Sequence, residues 1–297
     1  MLARFVPFSI AIVTPFNQKG ALDLAAVPKV VQYYLSQGAP GLLVSGSTGE
    51  QHCMTIEERK QLFHQVSTTV AGKCPLYAGV AAFKTQDAAE LVKAAKEAGF
   101  AGIMLGFPPY RRPSQQEALS YVKQVAEAAP ELPFFLYNNP PRNGFDLEPE
   151  TFVQILKEAN NIYGLKEAGK EENVNRVKSL LEREKLDQMS FFSGSDKSFV
   201  DAFSRFGYTG LTSVAGSVYP SEIKRVVEHL VGGRIEEAEQ VMQSIVPGIE
   251  LLQKAGMLQS IKYVLRKRNV PVGYCPSPLL DISDEHKRAI DKHFSLD

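Results

Sequence analysis

The segment IYGLKEA (162–168) places Lys166 near the end of an apolar run that is typical of a buried strand. An ammonium group in such a position loses hydration, and its pKa falls. A neutral lysine amine can attack a ketone to form a Schiff base, whose charged nitrogen acidifies the neighbouring carbon. In the alternative interpretation Lys166 is structural, and either extends out of the strand end or pairs with Glu167.

Tyr137 ends the preceding apolar run (134–139) in much the same place as Lys166 ends its own. Neighbouring strands of a sheet lie about 4.8 Å apart, so the two side chains can converge. A tyrosine there could carry the protons that Schiff-base chemistry requires. The chain continues as YNNPPRNG (137–144), in which Arg142 could bind a carboxylate through two hydrogen bonds. A proline-rich loop with a capping arginine is the alternative.

A third polar segment, SGSTGE (45–50), follows the second apolar run. Its glycines allow a tight turn, and Ser47 and Thr48 offer hydroxyl groups and backbone amides to an anion. An ordinary turn between a strand and a helix would have a similar sequence. Together with Lys166 and Tyr137, however, these residues supply the parts of a Schiff-base site for a 2-oxo acid.

Eight short apolar runs alternate with longer segments of helical period. The runs cover residues 8–16, 41–46, 76–80, 102–107, 134–139, 162–168, 189–195 and 210–215. They are largely apolar rather than alternating, which is typical of strands covered on both faces. Eight such β-α units predict an α/β fold, a (β/α)8 TIM barrel, with its site at the carboxyl ends of the strands. The alternative is a doubly wound open sheet, but no GxGxxG segment follows the first strand.

The chain after the eighth unit has helical periodicity in three further segments, at 235–256, 258–268 and 283–294. We therefore expect a catalytic barrel over residues 1–230 and a helical extension over residues 231–297. We also expect Thr85 to cap the helix that begins near it.

Composition limits the possible partners. Lys+Arg and Asp+Glu number 33 each, and this balance gives no support for nucleic acid or a membrane surface as a partner. The three cysteines and five histidines show no metal-ligand spacing, so no metal site is predicted. The apolar N-terminus is interpreted as a first strand and not a signal peptide, and no apolar run reaches the length of a membrane span. We expect a cytoplasmic protein that acts on small molecules.

The motifs GSTGE (46–50), YNNPPRNG (137–144) and GLKEA (164–168) have the order and spacing seen in the dihydrodipicolinate synthase / N-acetylneuraminate lyase family. YRRPSQ (110–115) and FSGSD (192–196) are also similar to that family. The resemblance covers essentially the whole chain, including the helical tail. It implies a class I, pyruvate-dependent lyase on a (β/α)8 barrel. It also implies a covalent Schiff base with pyruvate in place of any cofactor, and a homo-oligomer, either dimer or tetramer.

The resemblance assigns roles residue by residue. Lys166 matches the Schiff-base lysine, and Tyr137 matches the tyrosine that relays protons. Thr48, together with Ser47, matches the hydroxyl pair that binds the pyruvate carboxylate and connects to that tyrosine. Tyr110 matches the tyrosine that completes the relay from a neighbouring subunit.

Three further residues are assigned to the substrate pocket. Arg142 matches the arginine that binds the aldehyde's carboxylate in the synthase branch, and Gly194 matches a pocket glycine. Thr212 falls at a pocket position that is usually aliphatic in the synthases. Arg142 favours the synthase reaction, in which pyruvate condenses with aspartate semialdehyde to give 4-hydroxy-tetrahydrodipicolinate. Ser47, where synthases usually have a second threonine, is the more lyase-like residue.

Two alternatives remain open at this stage. Thr212 would suit an aldolase or dehydratase acting on a 2-keto-3-deoxy sugar acid or another 2-oxo acid, with release of pyruvate. A non-catalytic ligand-binding barrel is the third hypothesis, and the presence of Lys166, Tyr137, Thr48 and Tyr110 argues against it.

The resemblance also bears on regulation by lysine. Ile56, Phe83 and Pro109 stand where lysine-inhibited synthases usually have a histidine, an asparagine and a tyrosine. We therefore expect no inhibition by lysine.

Overall fold

A computed structural model describes residues 5–187 and 189–296. Eight parallel strands form a closed barrel in sequence order, with the last strand paired to the first. The strands are β1 (Phe8–Ala11), β2 (Leu42–Val44), β3 (Leu76–Val80), β4 (Gly102–Gly106), β5 (Phe134–Asn138), β6 (Ile162–Glu167), β7 (Ser190–Ser193) and β8 (Gly210–Ser213). This confirms the predicted (β/α)8 barrel, and each strand lies within its predicted run.

Helices surround the barrel and continue beyond it. Those associated with the barrel are α1 (Val27–Ser36), α2 (Ile56–Val70), α3 (Thr85–Glu97), α4 (Gln115–Ala126), the short α5 (Pro140–Asn143), α6 (Pro149–Glu158), α7 (Asn173–Glu184), α8 (Phe199–Phe206) and α9 (Pro220–Val231). The C-terminal part contains α10 (Ile235–Ala255), α11 (Met257–Lys267) and α12 (Asp284–Phe294). In the part of the chain that the structure describes, no helix combines the length and apolar character that crossing a membrane requires.

The interior of the barrel is filled at its amino-terminal end by aromatic side chains. Phe5 stacks on Tyr77 with 4.3 Å between ring centroids, and its ring centroid lies 4.2 Å from that of Phe135. A larger core cluster lies between the strands and the helices. Because the aromatic cluster closes one end, the cavity for chemistry opens at the other, where the carboxyl ends of the strands meet.

Capping hydrogen bonds orient the helices that follow two of the site loops. Thr55 and Glu58 form a reciprocal capping box at the start of α2, as do Ser114 and Glu117 at the start of α4. The expectation for Thr85 is wrong. Thr85 is itself the first residue of α3, and Lys84 occupies the N-cap position without a side-chain hydrogen bond.

The C-terminal helices pack against the barrel's helical shell. The helix α10 lies against α9 and also contacts α8, α11 and α12. Lys262 of α11 is fully buried and forms an ion pair with Glu50, at the end of the loop after β2. The extension therefore reaches a loop of the predicted site. The division of the chain at residues 230 and 231 stays a prediction.

Candidate active site

A cavity opens at the carboxyl ends of the strands. Its inner part has a volume of about 60 Å³ and leads to an outer vestibule of about 430 Å³. Six of the residues predicted from sequence line the inner part, namely Ser47, Thr48, Tyr137, Arg142, Lys166 and Gly194. The structure therefore brings together side chains from loops that are far apart in the sequence.

Lys166 and Tyr137 are directly opposite one another in the register of β5 and β6. The Lys166 side chain is buried, and its Nζ lies 4.4 Å from the centroid of the Tyr137 ring. Burial lowers the pKa of Lys166. Tyr137 and Asp196 partly oppose this effect, and the charge of Arg142 adds to it. A larger fraction of the amine is therefore neutral and nucleophilic at a given pH.

Glu167 is not the partner of Lys166, because adjacent strand residues point to opposite faces. Its carboxylate accepts hydrogen bonds from Asn138 Nδ2, at 3.0 and 3.1 Å, and from the Gly169 amide at 2.6 Å. Burial, with a contribution from Asp146, raises the pKa of Glu167 to about 7 despite these hydrogen bonds. Through Asn138, Glu167 ties together the ends of the two strands that carry Tyr137 and Lys166.

Among the described residues, the side chains of Asn139 and Ser47 form hydrogen bonds with the hydroxyl group of Tyr137. Asn139 Nδ2 donates to Tyr137 Oη at 2.6 Å, and Ser47 is hydrogen-bonded to the same side chain. Burial acts to raise the pKa of Tyr137, but the charge of Lys166, these two hydrogen bonds and the charge of Arg142 outweigh it. The net effect is a lowered pKa, which suits a group that must release and recover a proton.

The side chain of Arg59, on α2, fixes the loop after β2 (residues 45–50) through hydrogen bonds. This buried guanidinium donates to Ser45 Oγ at 2.9 Å and to the Gly79 carbonyl oxygen at 2.8 Å. Burial lowers the pKa of Arg59 to about 10. A Cβ at Gly79 would lie 2.7 Å from the Ser45 carbonyl oxygen, so only glycine allows this close approach. The loop that carries Ser47 and Thr48 is therefore fixed before a substrate binds.

Gly194 and Asp196 follow β7 at the same end of the barrel. A Cβ at Gly194 would collide with the Cβ of Ala168, so the cavity wall requires glycine there. Asp196 is buried and accepts a short hydrogen bond from Ser213 Oγ and one at 3.1 Å from the Val214 amide. Its charge also acts on Lys166. Sequence reasoning gave Asp196 no role, although its position after a strand end was a usable signal.

Arg142 lies on α5 and lines both parts of the cavity. Within residues 5–187 and 189–296, no carboxylate lies at ion-pair distance from its guanidinium. The group is exposed, and its charge acts on both Lys166 and Tyr137. It is therefore available to an anionic substrate close to the amine.

Two predicted residues lie away from the cavity. Thr212 is buried inside the barrel, where its Oγ1 accepts a hydrogen bond from Ser9 Oγ at 3.2 Å across β1 and β8. The β8 side of the described cavity is lined by Val214 instead. This corrects the expectation that Thr212 makes the pocket polar, because Thr212 lies one layer of side chains further inside the barrel than the residues that line the cavity. Tyr110 is 94% exposed on the loop after β4, and its place in a neighbouring subunit's site stays a prediction.

No group of three or more His, Cys, Asp or Glu side chains in the described ranges is arranged to hold a metal ion.

A closed (β/α)8 barrel, with a buried lysine beside a tyrosine and an exposed arginine at one end, has the arrangement of a lyase of the class I aldolase type. The comparison with known proteins specifies this further. The chain belongs to the dihydrodipicolinate synthetase family, whose sequence profile it matches over residues 5–296. The resemblance found from the motifs is thereby confirmed.

Individual relatives are similar over nearly their whole length. The chain is 32% identical to 4-hydroxy-tetrahydrodipicolinate synthase 1 of Halalkalibacterium halodurans, over 95% of this chain and 93% of that protein. It is 30% identical to the 4-hydroxy-tetrahydrodipicolinate synthase of Bacillus subtilis, over 98% and 99%. Among solved structures, dihydrodipicolinate synthase from Aquifex aeolicus superimposes with a TM-score of 0.89 at 26% identity, covering 97% of this chain and 98% of that one. The enzyme from Cyanidioschyzon merolae, solved with lysine bound, gives 0.90 at 30% identity, covering 99% and 98%.

Proposed function

We propose that this protein condenses pyruvate with aspartate semialdehyde, the activity of a 4-hydroxy-tetrahydrodipicolinate synthase, through a Schiff base at Lys166 and without a metal or organic cofactor. The observation that carries the proposal is the buried amine of Lys166, with its lowered pKa, beside Tyr137 in a cavity that Arg142 also lines. The names of the relatives support the choice of reaction.

The chemistry begins with the amine of Lys166. Its nitrogen attacks C2 of pyruvate, whose carboxylate binds the loop at Ser47 and Thr48. One proton of the attacking nitrogen passes to the C2 oxygen, and the Tyr137 hydroxyl gives its own proton to the same oxygen, so that water leaves and an iminium forms. The resulting phenolate removes a proton from C3, which gives the enamine and restores the phenol. Tyr137 is therefore a phenolate after the first of these two steps and a phenol again after the second.

The enamine carbon then attacks the aldehyde, and the new alkoxide takes a proton from Tyr137. The amino group of the second substrate then attacks the iminium carbon. One of its protons passes to the nitrogen of Lys166, which leaves as a free amine, and the other returns to the Tyr137 phenolate, so that a cyclic imine forms and the phenol is restored. Arg142 binds the carboxylate of the semialdehyde, because its guanidinium forms no ion pair with any carboxylate of the described residues. The guanidinium thereby orients the aldehyde toward the enamine.

Borohydride trapping tests the Schiff base. The protein is incubated with pyruvate and borohydride, and the modified residue is mapped by mass spectrometry. The adduct is expected at Lys166 and absent in Lys166→Arg. Lys262 is an internal control, because it is equally buried but paired with Glu50. A folded sample with no adduct would refute the mechanism, and an adduct at Lys262 alone would refute the assignment.

A second candidate reaction is the cleavage or dehydration of a 2-keto-3-deoxy sugar acid or other 2-oxo acid. The observation that favours it is the pair of amides, Gln51 and Asn139, in the cavity wall. Gln51 Oε1 accepts from Arg59 at 3.0 Å, which leaves its N–H groups as donors for a hydroxylated substrate. A panel of such acids, assayed for pyruvate release, distinguishes the two reactions. If neither assay shows turnover and no adduct forms, the non-catalytic ligand-binding barrel is the remaining hypothesis.

We also propose a cytoplasmic homo-oligomer, a dimer or tetramer, whose only substrates are small molecules. Two large side chains on neighbouring loops at the cavity end, Phe83 and Tyr110, are 72% and 94% exposed. A second copy of the chain would bury them. Analytical ultracentrifugation of the protein and of Phe83→Ser with Tyr110→Ser tests this, and a monomeric parent protein would contradict it.

A further inference from the structure

The side chain of Asn139 forms a hydrogen bond that is unusual for its position in the chain. It occupies the N-cap position of α5, where an asparagine commonly bonds to the first free amides of a helix. Here the side chain makes no capping bond, although the Asn139 carbonyl oxygen accepts from the Arg142 amide at 3.0 Å. The side-chain amide is instead directed back to Tyr137 Oη at 2.6 Å. The residue is only 7% exposed, so water competes little for this hydrogen bond.

The direction of this hydrogen bond decides its consequence. The Asn139 amide nitrogen can only donate, so the Tyr137 oxygen must accept. The proton of Tyr137 itself then stays free to point at Ser47 or at the reacting atoms. A donor to the phenol oxygen also stabilises the phenolate more than the phenol.

We propose, on the basis of the function proposed above, that Asn139 is a positioning residue for proton transfer: it orients the Tyr137 hydroxyl and stabilises the phenolate that forms between the two proton transfers. The Tyr137 oxygen is thereby held by two groups of its own chain, Asn139 and Ser47. Any contact from a neighbouring subunit would come in addition to them.

The electrostatics agree with this geometry. Burial alone raises the pKa of Tyr137, and the positive charge of Lys166 opposes it most strongly. The hydrogen bond from Asn139 comes next, ahead of the charge of Arg142 and the hydrogen bond to Ser47. Removal of the amide therefore raises the phenol pKa while Lys166 stays in place.

Two substitutions test the proposal. Asn139→Ala removes the donor, and Asn139→Asp keeps the shape of the side chain but cannot donate when ionised. Asn160→Ala is the control, because Asn160 is exposed and precedes β6 at the opposite end of the barrel. The first measurement is the ultraviolet titration of the Tyr137 phenol, taken as the difference from Tyr137→Phe. It needs no substrate, so its result stands whether or not the proposed reaction is correct.

We expect the phenol to titrate at higher pH in Asn139→Ala and higher still in Asn139→Asp, with no change in Asn160→Ala. In turnover, kcat falls roughly tenfold or more in Asn139→Ala, and the rise of kcat with pH moves in the same direction as the titration. Lys166 still forms its borohydride adduct. An unchanged phenol titration in both Asn139 variants overturns the proposal, even if kcat falls. A failure of the parent protein to form the adduct instead overturns the proposed function.

Discussion

The ion pair between Glu50 and Lys262 offers a direct test of how the C-terminal helices support the site. Both side chains are fully buried, and Lys262 Nζ lies 2.5 Å from Glu50 Oε2. Nζ also donates to the Tyr274 carbonyl oxygen at 3.1 Å and lies 4.7 Å from the centroid of the Phe16 ring. Lys262→Met removes the ammonium group and leaves a buried carboxylate without its cation.

The expected loss follows from that burial. Removal of one partner of a buried ion pair costs about 3–5 kcal/mol of unfolding free energy. For a large domain each kcal/mol lowers the melting temperature by about 2–4 °C, so the expected decrease is roughly 10 °C. Since Glu50 ends the loop that carries Ser47 and Thr48, the KM for pyruvate should rise in the same variant. Denaturant unfolding and steady-state kinetics measure the two effects.

A double-mutant cycle separates the unpaired charge from lost packing. Glu50→Gln combined with Lys262→Met removes both charges, and the double variant should be less destabilised than the sum of the single variants by about 2 kcal/mol. Additive losses would show that packing and not charge is responsible. A loss below about 1 kcal/mol in Lys262→Met would refute the reasoning altogether.

Three further results are expected. Glu167 should make stability depend on pH. Its folded pKa of about 7 exceeds the ordinary value of 4.5. Glu167 therefore makes its full contribution to the free energy of unfolding below pH 4.5, and up to about 3 kcal/mol of that contribution is lost by pH 7. Glu167→Gln should flatten that part of the unfolding profile, and parallel profiles would contradict this. Arg142→Ala should raise the KM for aspartate semialdehyde roughly tenfold or more and the KM for pyruvate much less, while equal effects would exclude the assigned role. The resemblance implies polar residues in lysine-inhibited synthases where this chain has Ile56 and Phe83, so lysine should not inhibit, and saturable inhibition in a titration would disprove this.

The barrel and its central pair of residues were predictable for a physical reason. Strands covered on both faces need apolar runs, and eight such runs leave few alternatives to a closed barrel. Active residues then lie at strand ends, so Lys166 and Tyr137 stood out as polar side chains at the ends of adjacent runs. The structure places them opposite one another in register.

Depth along a strand and the path of a loop were not predictable in the same way. Alternation gives the face on which a side chain lies, but it does not say how far that side chain is from the cavity, and Thr212 lies one layer too deep. Arg59 and Asn139 act through contacts that depend on where a loop turns, as in the hydrogen bond from Arg59 to Ser45. Such contacts leave no periodic signal in the sequence.

The two buried lysines show why burial alone does not identify a nucleophile. Lys262 is fully buried, and Glu50 compensates the loss of hydration at ion-pair distance. Lys166 is 3% exposed, but no carboxylate of the described residues lies at ion-pair distance from it, and its pKa is lowered. In Lys262 the cost of burial is offset by a carboxylate partner, whereas in Lys166 burial lowers the pKa of the amine. An uncompensated amine of this kind can attack a carbonyl group, so the lack of a carboxylate partner supports the proposal that Lys166, and not Lys262, forms the Schiff base.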